Sequence, residues 1–270
     1  MSNASDGAGP PAQEHEFVPY APLAPHDLRP LLVVAPHPDD EVFGCGGLLS
    51  LATRHGIAVH VVIVTDGALA GAAAEREAES LAAAQVWGGA SARHSIEFWR
   101  VPDRGVKSDA PLRARLATVI ESSAAQWVIA PSPFEVHPDH RAVCRVAIDA
   151  AQERQAEGQD VQLVFCEIGQ PLLPNALVDI TSVAECKAGA MRCFASQLAV
   201  QAYGDQVTGM NRYRSYTLGP NVTHAEAYRF VPPQVLRGGA DAVMAELCES
   251  LRRRLWSTMP DPTEPPGLSR

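Results

Sequence analysis

Three of the chain's 9 histidines fall in two short segments. The first reads Pro36-His37-Pro38-Asp39-Asp40-Glu41 and the second His137-Pro138-Asp139-His140. Imidazole combined with carboxylate is the ligand set of a catalytic divalent cation, which takes three protein ligands and keeps one position open. His37 and Asp40 are three residues apart on a tight turn and can converge on one ion. One histidine of the second segment completes the set, and a helix starting near Asp139 would point His140 inward. Asp39 is then left to act as base on the attacking water, and His137 as electrophile or acid. Plainer roles compete: Asp40 as a helix cap, His37 as an isolated loop histidine. Each segment directly follows an apolar run, and that shared placement weighs against both.

The same region could be mistaken for a dinucleotide loop through Gly44-Cys45-Gly46-Gly47. The G-x-G-x-x-G pattern would need glycine at Leu49, and Asp39, Asp40 and Glu41 would repel a pyrophosphate. The glycines fit close helix–sheet packing instead, and Cys45 a small buried thiol.

The elements that must bring the two segments together are legible. Apolar, β-rich runs cover 31–35, 59–64, 96–101, 127–130 and 161–166. Helical patterns separate them at 42–55, 73–87, 111–124 and 139–156. Continuous runs of this kind suit strands buried on both faces of a parallel sheet. The alternation predicts a doubly wound, Rossmann-like, mostly parallel α/β sheet of order 3-2-1-4-5. Strands one and four flank the reversal in such a sheet, so the two segments face each other across its crevice.

Beyond residue 170 the pattern loosens into a C-terminal capping region. It predicts a strand near 176–180, a helix near 182–194, an irregular stretch over 195–222, a strand near 224–231 and a last helix near 239–255. The span 195–219 gathers Gln197, Tyr203, Asn211, Arg212, Tyr213, Arg214 and Tyr216. Tyrosine faces suit a sugar ring and arginine forks suit phosphate or carboxylate, so Arg212 and Arg214 are candidate substrate-binding residues in a cap over the site. The competing reading is a surface loop whose tyrosines pack on the core.

The 270 residues are 46% hydrophobic and 20% charged, an ordinary globular balance. Residues 1–29 and 257–270, rich in proline and poor in periodicity, read as mobile tails around a single domain over 30–256. Lys+Arg number 22 against 31 Asp+Glu, a net charge of −9, which repels a phosphate backbone and argues against nucleic acid as a partner. No apolar run is long enough to span a membrane and no secretory leader pattern is visible. Six cysteines without a CxxC pair read as free thiols. Together these predict a cytoplasmic protein.

The Pro-His-Pro-Asp-Asp-Glu turn after the first strand and the His-Pro-Asp-His turn after the fourth resemble the LmbE-like (PIG-L-type) family of zinc-dependent N-acetylglucosaminyl deacetylases. Further similarities run across most of 31–231. They are Thr65-Asp66-Gly67, Arg76 and Glu79 leading to Trp87-Gly88, Pro131-Ser132-Pro133, Phe194-Ala195-Ser196-Gln197, Asn211-Arg212-Tyr213-Arg214 and Ala225-Glu226-Ala227-Tyr228. Trp87 departs from the aliphatic residue usual before Gly88.

The resemblance implies zinc on His37, Asp40 and His140; the same donors accept ferrous iron. It implies Asp39 as general base. His137 would stabilise the oxyanion and protonate the leaving amine, oriented by Asp139. Arg76 would hold a sugar hydroxyl or a phosphate, against the alternative of an i,i+3 partner for Glu79 on a solvated face. The expected activity is removal of acetate from an N-acetylglucosamine-type sugar conjugate, a small-molecule partner, in glycan or glycoconjugate biosynthesis. Lipid, inositol, malate, oligosaccharide and glycopeptide aglycones all fit, and a homo-oligomer is compatible. The alternatives are a metal-dependent amidase of a thiol-sugar conjugate and a non-catalytic sugar-binding module. The second has no use for Asp39 as a carboxylate outside the ligand set.

Overall fold

The computed structural model describes residues 21–89 and 93–256. Its strands are β1 (Ala21–Leu23), β2 (Leu31–Ala35), β3 (Val59–Thr65), β4 (His94–Val101), β5 (Trp127–Pro131), β6 (Gln162–Cys166), β7 (Ala176–Asp179) and β8 (Ala225–Phe230). Its helices are α1 (Asp40–Arg54), α2 (Ala73–Gly88), α3 (Ala110–Ser123), α4 (Pro138–Ala156), α5 (Ala184–Met191), α6 (Ala195–Leu198), α7 (Tyr203–Ser215), α8 (Pro233–Leu236) and α9 (Gly239–Trp256).

The strands form one sheet of order β1-β7-β8-β6-β5-β2-β3-β4. The run β4-β3-β2-β5-β6 is parallel throughout and reproduces the expected 3-2-1-4-5 order. β8 joins antiparallel to β6 and β7, and β1 closes the edge parallel to β7. Within the expected N-terminal tail, residues 21–23 are therefore a strand, Pro25–Asp27 a 3-10 turn, and Leu28 is buried in the core. Residues 1–20 and 257–270 of the expected tails lie outside the described residues.

β2 carries the alternation that builds two layers. Leu31, Val33 and Ala35 enter one core with residues of α1 and α2, while Leu32 and Val34 enter the other with residues of α3, α4 and α9. Both sets are almost fully buried. The chain thus reads as an unbroken apolar run because each face has its own helix layer. β2 pairs β5 at Leu31↔Trp127, so the loops leaving these strands meet at the switch point.

Helix α1, which starts on Asp40, is braced from below. Gly47 sits where a Cβ would lie 2.5 Å from Ile180 Cγ2, so only glycine lets the helix come this close. The Glu226 carboxylate of β8 accepts from Gly47 N at 2.7 Å, Leu48 N at 2.9 Å and the Tyr228 hydroxyl at 2.7 Å. Lys187 of α5 donates to Glu226 at 2.7 Å and to Phe43 O at 3.0 Å. Lys187 and Glu226 are each only 2% exposed, so neither charge has water to fall back on. Glu226→Ala is expected to cost about 3–5 kcal/mol, because it strands a buried ammonium. Urea denaturation reads this directly; a loss below about 1 kcal/mol would mean that Lys187 is not held by this pair.

Among the described residues no helix is long and apolar enough to cross a membrane. The stretch expected to be irregular, 195–222, is instead largely helical, as α6 and α7.

Candidate active site

The β2 loop and the first turn of α1 supply His37, Asp39 and Asp40; the first turn of α4 supplies Asp139 and His140. His37 Nδ1 lies 3.1 Å from Asp40 Oδ2, His140 Nε2 lies 3.1 Å from the same oxygen, and the two nitrogens are 3.2 Å apart. A tetrahedral cation with bonds of about 2.0–2.1 Å needs ligand atoms about 3.3–3.4 Å apart. The triangle therefore fits one face of such a site, with all three residues buried. The three imidazoles of His37, His137 and His140 also gather, with ligand atoms within 4.8 Å of one another. His137 is the weaker candidate ligand. Its Nδ1 already accepts Asp139 N–H at 3.2 Å, and a dication gains more from the Asp40 carboxylate.

The electrostatics suit a cation. Burial pushes the Asp40 carboxyl up, but His140 and His37 override it and hold it well below the usual carboxylate range. Burial pulls the His140 imidazole down, but Asp40 and Glu135 override that and raise it to about 10. A cation entering here displaces that proton.

Outer partners fix both rings. His37 Nε2 lies 3.2 Å from Asp139 Oδ2 and 3.5 Å from Asp103 Oδ1. A proton on Nε2 shared with Asp139 leaves Nδ1 free as a ligand. His140 Nδ1 faces Glu135 Oε2 at 3.3 Å, and Glu135 is pinned by the backbone amides of Ile168, Gly169 and Gln170. The Asp139 carboxylate lies against His37, and the hydrogen bond from Asp139 to His137 is made by its backbone N–H. Asp139→Asn is expected to weaken metal affinity roughly 10- to 100-fold with the fold intact. Competition against a chelator measures it; unchanged affinity would remove Asp139 from the support of His37.

Asp39 precedes α1 with φ 126 and ψ −34, a strained backbone for a residue with a Cβ. Its neighbours impose the conformation. Asp39 N donates to Glu41 Oε2 at 2.9 Å, and Asp39 O accepts from Val42 and Phe43 amides at 2.9 Å each. Its carboxylate does not cap the helix. It meets Arg76 Nη2 at 3.0 Å instead. Burial, then the Asp40 charge, push the Asp39 carboxyl well above its ordinary range against the pull of Arg76. Burial also lifts Glu41 to about 7.

Arg76 is buried, and its Nη1 and Nη2 donate to Asp39, to Pro38 O at 2.6 Å and to Gly67 O at 3.1 Å. Gly67 has φ 61, and a Cβ there would collide with the guanidinium. Arg76 thus pairs with Asp39 while lining the cleft, and Glu79 accepts from Ser196 rather than from Arg76.

The site floors a cleft of about 510 Å3. One wall is α7, through Tyr203, Gln206, Val207 and Met210, with Phe43 and Ile168 beside it. Half-buried His137 opens onto the cleft; burial, then His37 and His140, lower its pKa. With Nδ1 accepting from a backbone amide, the neutral ring carries its proton on Nε2. Arg212 and Arg214 do not line the cleft. Arg214 is buried in a bidentate pair with Glu167 and donates to Leu172 O, while exposed Arg212 contacts His224. The site gains two acids that no motif marked, Asp103 and Glu135, and gives Glu41 of the first motif a supporting role. The turn Pro102-Asp103-Arg104-Gly105 directly after the third strand, on the same carboxyl edge, was the available signal for Asp103.

Residues 32–151 match the family model of GlcNAc-PI de-N-acetylase (PIG-L). The chain is 29% identical over 239 residues to 4-oxalmesaconate hydratase of Pseudomonas putida, covering 76% of this chain and 90% of that one. It is 27% identical over 194 residues to diacetylchitobiose deacetylase of Thermococcus kodakarensis, covering 64% and 71%. A conserved protein of Thermus thermophilus superposes with a TM-score of 0.67 at 29% identity, over 76% of this chain and 96% of that one.

Proposed function

This chain belongs to the LmbE-like (PIG-L-type) family, and we propose that it is a metal-dependent hydrolase removing acetate from an N-acetylglucosamine-type sugar conjugate. The observation that carries the reading is the His37–Asp40–His140 triangle with the Asp39 carboxylate held beside it, off the ligand set. His37, Asp40 and His140 would hold a divalent cation, zinc or ferrous iron, which would supply Lewis acidity to the acetamide carbonyl and acidify water. Asp39, held beside the ligand triangle by Arg76, takes the proton from the attacking water. Arg76 holds that carboxylate in place. His137 donates a hydrogen bond from Nε2 to the oxygen that gains charge, and the proton taken up by Asp39 passes on to the departing amine. The α7 wall and Phe43 shield the reacting centre from water and pack on the sugar.

A second reading is addition of water to a carbon–carbon double bond, favoured by the long match to the hydratase. The same base and the same cation would serve it. An acetate-release screen over N-acetylglucosaminides, run beside an absorbance assay on conjugated enoates, separates the two. Acetate from no sugar, with loss of enoate absorbance, would replace the deacetylase reading by the hydratase one.

A further inference from the structure

Arg104 is the one residue of the cleft whose charge nothing answers. Two arginines line the cleft, Arg76 and Arg104. Arg76 is committed to Asp39. The exposed Arg104 side chain makes no hydrogen bond or ion pair with any described residue. Its backbone is also costly: φ is 59, the left-handed region that glycine occupies freely and a residue with a Cβ enters at about 1–2 kcal/mol. The turn is nevertheless held firmly. Arg104 N donates to Asp139 Oδ2 at 2.7 Å and Val106 N to Asp139 Oδ1 at 3.2 Å. That carboxylate also orients His37. The guanidinium is thus mounted on the same support as a metal ligand, at the rim of the cleft.

We propose that Arg104 recognises an anionic group, a phosphate or a carboxylate, on the part of the substrate outside the reacting acetamide. The proposal rests on the deacetylase reading for the placement of the substrate, and on the residues above for the rest. The cleft otherwise presents the acids Asp39, Asp40, Asp103 and Glu135. An unpaired arginine is then the feature that makes an anionic conjugate acceptable where a neutral one needs no such group. A planar fork binds either anion through two charge-assisted hydrogen bonds. Its exposure makes the contact sensitive to salt.

The test uses Arg104→Gly, which relaxes the backbone and keeps the N–H that Asp139 accepts. The metal-loaded full chain is assayed for acetate release from N-acetylglucosamine 1-phosphate, N-acetylglucosamine 6-phosphate, N-acetylmuramic acid and the neutral methyl N-acetylglucosaminide. In the wild type at least one anionic substrate should exceed the neutral one in kcat/KM. In Arg104→Gly that ratio should fall about 10- to 100-fold, with Arg104→Lys between the two. Whether the phosphates or the muramic acid respond tells phosphate from carboxylate. Calorimetry of glucosamine 6-phosphate, muramic acid and glucosamine, on metal-free and loaded protein, gives the same comparison without turnover. If no substrate releases acetate, the deacetylase reading fails while the calorimetric ratio still decides Arg104. Equal binding of charged and neutral ligands, or equal weakening of both by Arg104→Gly, would overturn the proposal.

Discussion

Asp40→Ala is expected to leave a folded protein that no longer retains a divalent cation, with turnover down roughly 10³-fold or more. The reason lies in the triangle. Asp40 Oδ2 is the vertex shared by both imidazoles, 3.1 Å from each, and it is the only anionic member. Removing it leaves two neutral ligands, too few to hold a dication in the site. His37→Ala and His140→Ala should each do the same through the loss of one vertex. Metal content of the purified variants by mass spectrometry, alongside acetate release and thermal unfolding, checks all three. Full occupancy in His140→Ala would move the site onto His37, His137 and Asp40.

The fold and the core of this site were legible in the sequence because each rested on a strong local signal. Leu31–Ala35 and Trp127–Pro131 are apolar at every position, which is what burial on two faces demands, and the crossover rule then fixes their adjacency. The two histidine segments follow directly. Helix α7 was not legible. Gly204, Gly209, Val207 and Thr208 give it poor intrinsic propensity, and it forms by packing its Tyr203–Val207–Met210 stripe toward the cleft. Once it is helical, Arg214 lies one turn beyond Met210 and reaches Glu167 rather than the substrate. An arginine cluster says that anions are nearby, but not whether they belong to the protein. Glu135 was invisible for another reason: it acts on His140 through a contact set by the fold, with no spacing that marks it. Asp103, near His37, had only its place on the turn after the third strand to mark it.

Asp39→Asn is expected to keep the metal and lower kcat by roughly 10²–10⁴. Among the neighbouring acids, Asp40 takes up both ligand histidines and Glu41 takes up the Asp39 amide. Asp39 alone pairs with a cation that is itself buried and immobile. Its backbone sits at φ 126, a conformation worth about 1–3 kcal/mol of strain. That strain turns the carboxylate away from the helix end it would otherwise cap and toward the cleft. Asparagine keeps the size and one acceptor oxygen for Arg76, so the turn and the ligand triangle should survive, but an amide cannot take up a proton at neutral pH. Arg76→Lys should show a milder version, since a point charge cannot hold Asp39, Pro38 O and Gly67 O together. Metal content and kcat measured on the same preparations separate the roles. A loss of activity in Asp39→Asn that tracks loss of metal would make Asp39 a ligand, and unchanged kcat would pass the role of base to another group.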